Sequence, residues 1–300
     1  MKKAALLFLL IILILSGCKQ KKEASGYDFT FAFLTDIHLQ PELNAVEGFQ
    51  KAIDTLNQIK PDFIITGGDL VRDALNVTHG RADSLYNLYK EVSAGLTMPV
   101  YNTIGNHEIF GWESDDEEIK NHPEFGKKMF ENRIGERFYS FDHKGWHFII
   151  LDAIGRAEDG GYIGEIGEEE LEWLKKDIEK TGKETPIALS AHIPFYTAVT
   201  QLRKGSLAAN SESSVITNAR EVMMNLYPYN LRLVLQGHTH FLEDIYVGNK
   251  THFITGGAVC GLWWENKPQS IPDEGFLLVK VRGEQIEWEY VDYGWTPPGE

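Results

Sequence analysis

The residues with the clearest chemical potential fall into five short groups. Asp36-x-His38 and His238-x-His240 each place two metal-donor side chains at alternate positions. Alternate residues of an extended segment point the same way, so each pair can aim two ligands at one centre. Asp69 follows Gly67-Gly68, the run Asn106-His107-Glu108 follows Gly105, and His192 follows Ala191. The glycines permit tight turns and close backbone approach. Asp and neutral His are good ligands for Mn, Fe or Zn, whereas Ca and Mg favour all-oxygen shells. Seven candidate ligands, Asp36, His38, Asp69, Asn106, His192, His238 and His240, are too many for one ion. They suit two ions that share a carboxylate.

Such a site needs elements that bring distant segments together. Phe29–Leu34 is an apolar, aromatic-rich run that predicts a buried strand. Residues 44–59 carry Val46, Phe49, Ile53 and Leu56 at helical spacing, with Pro61 beyond the stop. Phe63–Ile65 reads as a strand, Arg81–Ala94 as a helix and Pro99–Ile104 as a strand. Phe138–Phe141 and Trp146–Leu151 read as a hairpin around Lys144-Gly145, and Glu168–Lys180 as an amphipathic helix. Strands follow at Ile187–Ser190 and Leu231–Leu235 with a helix near Ser214–Leu226 between them, then Phe276–Val281 and Gln285–Val291. Alternation of this kind predicts an α/β fold with a largely parallel sheet. Each polar group follows an apolar strand, and the carboxyl ends of strands form the ligand crevice of such folds. With no linker or repeat visible, residues 27–300 read as one domain.

The ordered set Asp-x-His, Gly-Asp, Gly-Asn-His-Glu, Ala-His and Gly-His-x-His, spanning residues 36–240, resembles the calcineurin-like metallophosphoesterase superfamily. The resemblance implies a four-layer α-β-β-α sandwich of two mixed sheets. It also implies that Asp36, His38 and His240 hold one metal, that Asn106, His192 and His238 hold the other, and that Asp69 bridges them. Metal identity, Mn, Fe or Zn, stays open. Two such ions about 3.5–4 Å apart can activate a bridging hydroxide and clamp a phosphoryl oxygen. His107 then matches the family's histidine that stabilises the phosphoryl group or protonates the leaving alkoxide. Three residues after the bridging Asp, related Ser/Thr phosphatases carry an acid and purple acid phosphatases a tyrosine. Here that position is Arg72, with Asp73 next, which argues against both subfamilies. The orienter of His107 is left open between Glu108 and Asp73. The remaining resemblance is nearest to bacterial phosphodiesterases of the cyclic-nucleotide type, with a broad phosphomonoesterase or a catalytically silent binding protein as alternatives.

Aromatic residues flank these loops. Phe110, Trp112, Trp263 and Trp264 are expected to form a wall around the substrate, with ordinary loop packing as the competing reading. Five of the ten histidines, His79, His122, His143, His147 and His252, lie outside the motifs and read as structural or solvated.

The amino terminus reads as an address. Lys2 and Lys3 precede the twelve-residue apolar run Ala4–Leu15, too short for the roughly 20 residues a spanning helix needs. The run closes with Leu15-Ser16-Gly17-Cys18, which resembles a bacterial lipobox. That implies a signal peptide over 1–17, a lipidated Cys18, a polar tether over 18–26 and a membrane-anchored, extracytoplasmic protein.

Composition bounds the rest. The 300 residues carry 44 Asp+Glu against 29 Lys+Arg, a net charge of −15, and two cysteines. Two cysteines make no disulfide scaffold or zinc ribbon. Loss of residues 1–17 removes two lysines and takes the charge to −17. The acidity disfavours a grip on nucleic acid, which relies on basic side chains. It does not disfavour small phosphate esters, because bound metal ions supply the electrophilic charge. No protein partner is implied.

Overall fold

Phe31 and Phe33 alternate with Ala32 and Leu34 along the first strand, and all four are buried, so this strand lies between two apolar layers. The computed structural model describes residues 26–158, 160–265 and 274–296. The predicted signal at 1–17, Cys18 and nearly all of the tether lie outside the described residues. In chain order the elements are β1 (Phe29–Leu34), α1 (Ala45–Ile59), β2 (Phe63–Thr66), α2 (His79–Ser93) and β3 (Val100–Asn102). Two short helices, α3 (Glu117–Lys120) and α4 (Lys128–Arg133), precede the hairpin β4 (Tyr139–His143) and β5 (Trp146–Ile150). Then come β6 (Ile154–Arg156), β7 (Tyr162–Gly164), α5 (Glu168–Thr181), β8 (Pro186–Ser190), α6 (Val199–Lys204) and α7 (Ala219–Leu226). The chain closes with β9 (Asn230–Gln236), β10 (Leu242–Val247), β11 (Thr251–Gly256), β12 (Gly275–Arg282) and β13 (Gln285–Asp292).

Two large sheets result. One has five strands in the order β13-β12-β1-β2-β3, the other six in the order β10-β11-β9-β8-β5-β4. Both are mixed: β1–β2–β3 and β5–β8–β9–β11 run parallel, with antiparallel strands at the flanks. The inner faces meet in an aromatic core where Phe31 stacks on Phe63, ring centres 5.1 Å apart, and Phe148 of the other sheet meets both edge-on. The even-numbered face of β1 joins a second cluster with Phe49, Ile53 and Leu56 of α1. The helix pairs α1–α2 and α5–α7 are in contact, which completes the four layers.

Most elements read from the sequence are present, one helix starts later than expected, and several short elements were not foreseen. The helix expected from Ser214 starts at Ala219, because Asn218 is occupied with Ile166: its side chain accepts from the Ile166 N–H and donates to the Ile166 carbonyl. The small hairpin β6–β7 has strands of only three residues, too short for a period to register.

Candidate metal centre

The five polar groups all lie beyond the carboxyl ends of β1, β2, β3, β8 and β9, on one end of both sheets. Backbone bonds lock these loops together. The N–H of Asp36 donates to Gly68 O at 3.1 Å, that of His38 to Asp69 O at 2.8 Å, and that of Gly237 to His192 O at 2.9 Å. Asp36, His38, Asp69, Asn106, His192 and His240 are all buried, and His238 is half-buried.

Their side chains converge. His38 Nε2 and His240 Nε2 are 3.0 Å apart, and Asp36 Oδ1 lies 3.2 Å from His240 Nε2 and 3.9 Å from His38 Nε2. On the other side, Asn106 Oδ1 lies 3.1 Å from both His192 Nε2 and His238 Nδ1. Asp69 Oδ2 stands between the two groups, 3.5 Å from His38 Nε2 and 3.1 Å from His192 Nε2. Donors about 2.1 Å from one first-row ion sit roughly 3.0–3.4 Å from one another at right-angle or tetrahedral spacing, so most of these separations match a shell edge. The far nitrogens support this reading. His192 Nδ1 faces Gly67 O at 2.7 Å and His240 Nδ1 faces Gly261 O at 2.9 Å, which leaves each Nε2 bare in the neutral ring. His38 Nδ1 and Asn106 Nδ2, buried and without a hydrogen-bond partner among the described residues, belong to this cluster as well. The donor set fits two metal ions, with Asp69 the shared carboxylate.

The loops reach this arrangement through strained backbone. Asp36 (φ 55°), His38 (45°), Asp69 (53°), His238 (71°) and His240 (52°) are all left-handed, although none is glycine. Residues held this way cost on the order of 1–3 kcal/mol each and cluster at functional sites. Two glycines are required by space. A Cβ on Gly105 would lie 2.3 Å from the amide nitrogen and Oδ1 of Asp69, and one on Gly237 would lie 2.0 Å from Thr35 Oγ1.

Electrostatics follow from burial. Burial holds the His38 pKa well below the usual imidazole range despite Asp69. Burial and the neighbouring His192 pull His238 down to about 4. His192 is buried as well, but Asp69 and its hydrogen bonds carry it up to about 9. Two rings therefore present bare nitrogens at neutral pH, while the Asp69–His192 pair holds a proton that an incoming cation must displace.

Beside this cluster, His107 is half-buried with Nδ1 3.2 Å from Asp73 Oδ1 and Nε2 3.9 Å from Asp69 Oδ2. Burial opposes its charged form, yet Asp69 and Asp73 raise its pKa above the ordinary value. Asp73 is thus the group that faces His107. Glu108 has different work: Oε2 accepts from Asp69 N (2.9 Å) and Gly105 N (2.7 Å), and Oε1 from Leu70 N (2.7 Å) and Val71 N (3.1 Å). One buried carboxylate thereby ties the β2 loop to the β3 loop.

The expected aromatic wall is corrected. Phe110 and Trp264 are fully buried in the core. Trp264 donates its Nε1–H to Ile37 O at 2.9 Å and cannot face a substrate. Trp112 packs against the core and lines a separate cavity of about 330 Å³ with Lys127 and Arg137. Trp263 alone of the four lies over the site, its ring centre 3.9 Å from that of His38 and 5.3 Å from that of His107. Sequence reasoning missed Thr35, whose hydroxyl donates to Asp36 Oδ2 at 2.6 Å, and Tyr162, whose ring meets His238 edge-on at 6.0 Å. Thr35 carried a signal, a polar residue directly before a candidate ligand. Tyr162 carried none.

Histidines outside the motifs find other partners. His147 sits between Asp142 and Asp177, His252 faces Asp244, and His79 faces Glu124. Cys260 is buried, 3.9 Å from His240 Nδ1.

Comparison with known proteins agrees with this geometry. Residues 29–242 match the family model described as calcineurin-like phosphoesterase. A probable cyclic nucleotide phosphodiesterase from Psychrobacter arcticus is 24% identical over 190 residues, 61% of this chain and 58% of that protein. Purple acid phosphatase 15 from Arabidopsis thaliana is 27% identical over 218 residues, 63% of this chain and 37% of that one. The chain thus spans under two thirds of the length of either relative. A dimetal phosphatase from Danio rerio shares the fold, with a TM-score of 0.66 at 13% identity over 88% of this chain and 96% of that one. This chain belongs to the calcineurin-like phosphoesterase family, whose members depend on two metal ions.

Proposed function

We propose that this protein hydrolyses phosphate esters, phosphodiesters ahead of monoesters, with Asp36, His38 and His240 holding one ion and Asn106, His192 and His238 the other. The observation that carries the reading is the convergence of donor atoms from five loops in two groups, one each side of Asp69 Oδ2, which meets His38 of the first and His192 of the second. Bound divalent ions would supply Lewis-acid charge and a water nucleophile active at neutral pH. The chain's own residues contribute position and protons. His107, whose pKa Asp69 and Asp73 raise against burial, holds its Nε2 at the rim, where its protonated form can donate to a phosphoryl oxygen or a departing alkoxide. Likeness to a protein named as a probable cyclic nucleotide phosphodiesterase supports the diester preference. Arg72 stands where purple acid phosphatases carry a tyrosine, which argues against that subfamily.

The test is turnover by metal-stripped protein reloaded with Mn²⁺, on bis(p-nitrophenyl) phosphate and p-nitrophenyl phosphate, with bound metal counted. Hydrolysis of the diester at the higher kcat/KM is expected. Silence on both with two ions bound overturns the reading. The anchor is proposed as well: Cys18→Ala should move the protein from the membrane fraction to the soluble one, and persistence in the membrane would refute lipidation there.

A further inference from the structure

Arg72 is an anomaly in a chain so rich in acid. It is half-buried, and the contact its guanidinium makes is with an aromatic ring. Glu42 is within electrostatic reach, but its carboxylate is committed to Arg81 at 2.7 Å. The adjacent Asp73 is committed to His107. Instead, the Arg72 guanidinium lies over the indole of Trp263, 4.2 Å from the ring centre. A guanidinium stacked on an aromatic face keeps its N–H donors free around its edge and loses water from the covered face.

Both partners are fixed in place. The N–H of Arg72 donates to Leu39 O at 3.0 Å, and a β-bridge joins Leu39 to Val71, so the Arg72 backbone is pinned to the Asp36–His38 loop. Trp263 is left-handed at φ 61° and is followed by Trp264, which is locked in the core by its bond to Ile37 O. Its ring covers His38 and lies 5.1 Å from His240 and 5.3 Å from His107. The pair therefore sets a guanidinium cation at the rim of the metal centre, on the side shared with His107.

We infer that Arg72, held on Trp263, binds a non-bridging oxygen of the substrate's phosphoryl group and makes the site discriminate between phosphate groups by charge. The inference rests on the phosphoesterase reading for its substrate and on the Arg72–Trp263 stack for its content. A phosphomonoester, with close to two negative charges at neutral pH, gains more from this cation than a singly charged diester does. Arg72 thus confers a secondary capacity for monoesters and for the phosphate they release.

The experiment uses Mn-loaded parent, Arg72→Ala, Arg72→Lys and Trp263→Phe, with inorganic phosphate as probe. Calorimetric affinity for phosphate should fall about 10–100-fold in Arg72→Ala, the range for losing a charge-assisted hydrogen bond. Arg72→Lys should recover part of it, and Trp263→Phe should lose less than Arg72→Ala. The KM for p-nitrophenyl phosphate should rise more than that for bis(p-nitrophenyl) phosphate, with two metals still bound. Unchanged phosphate affinity in Arg72→Ala, or equal losses on the two esters, overturns the inference. If the parent binds phosphate through Arg72 but turns over neither ester, the phosphoesterase reading fails and the anion clamp stands.

Discussion

Two clusters of histidine and carboxylate lie at opposite ends of the sheets and use the same residue types to opposite effect. At the amino-terminal end of β5, His147 places Nδ1 2.6 Å from Asp142 and Nε2 2.8 Å from Asp177. Each ring nitrogen has its own carboxylate to donate to, and the protonated ring offsets one of the two negative charges. At the carboxyl end, His38 and His240 turn their nitrogens toward each other and toward carboxylates shared among several rings. A third group shows the same contrast: Glu124 beside His79 is already paired to Arg133 at 2.7 Å, and His122 Nδ1 accepts the N–H of Glu124. Composition does not distinguish these clusters. What marks the metal centre is donors from five separate loops that converge, among the described residues, with no Lys or Arg paired to their carboxylates, on backbone that is strained to hold them.

The comparison can be broken most severely at its shared atom. Asp69→Asn, or exhaustive chelation, should abolish turnover and drop the bound metal below two ions, read by elemental analysis. His147→Gln should leave both unchanged. Next in size, His107→Gln should retain both metals and lose about 10²–10⁴ in rate on an alkyl phosphodiester, the usual worth of a general acid. Unchanged turnover would remove His107 from the chemistry. Asp73→Asn should cost less, about 10–100-fold, mostly in kcat, as expected for a partner that orients a functional histidine. His79→Ala should alter neither metal content nor rate.

The far cluster should appear in stability alone. Its His147 pKa is raised, since Asp177 and Asp142 outweigh burial, and the Asp177 pKa is lowered by His147 against burial. A raised imidazole stabilises fully below its unfolded value of about 6.5 and loses that contribution as pH climbs through the folded value. The lowered carboxylate works from above about pH 4 and fails as pH falls further. Urea unfolding of the parent and His147→Gln should therefore differ most near pH 5–6, by about 1.5–3 kcal/mol, and converge at higher pH. A pH-independent difference would dissociate the cluster from its charge.

Much of this was legible in the sequence because each metal-centre loop follows an apolar strand, and order along the chain preserves that relation. The number of sheets was not legible, since apolar runs buried on both faces do not say which neighbours they pair with. Adjacent tryptophans show the same limit: Trp263 covers His38 while Trp264 is sealed in the core, both in left-handed backbone that no alternation rule anticipates. Glu108 was read as a possible partner of His107, but three of its four amide donors, Asp69, Leu70 and Val71, come from a loop 37–39 positions away. Only the folded chain brings that partner into view.

The direction in which β1 enters has a consequence for supply. Its six residues run from Phe29, close to the first described residue, to the loop that carries Asp36, a rise of about 20 Å. The nine residues from the proposed lipidated Cys18 to Gly26 can add at most about 30 Å of reach. On the proposed anchoring at Cys18, the metal-centre loops would lie at the end of β1 farther from the tether. Such an arrangement would favour small soluble esters over lipids of an anchoring membrane as the molecules these loops meet.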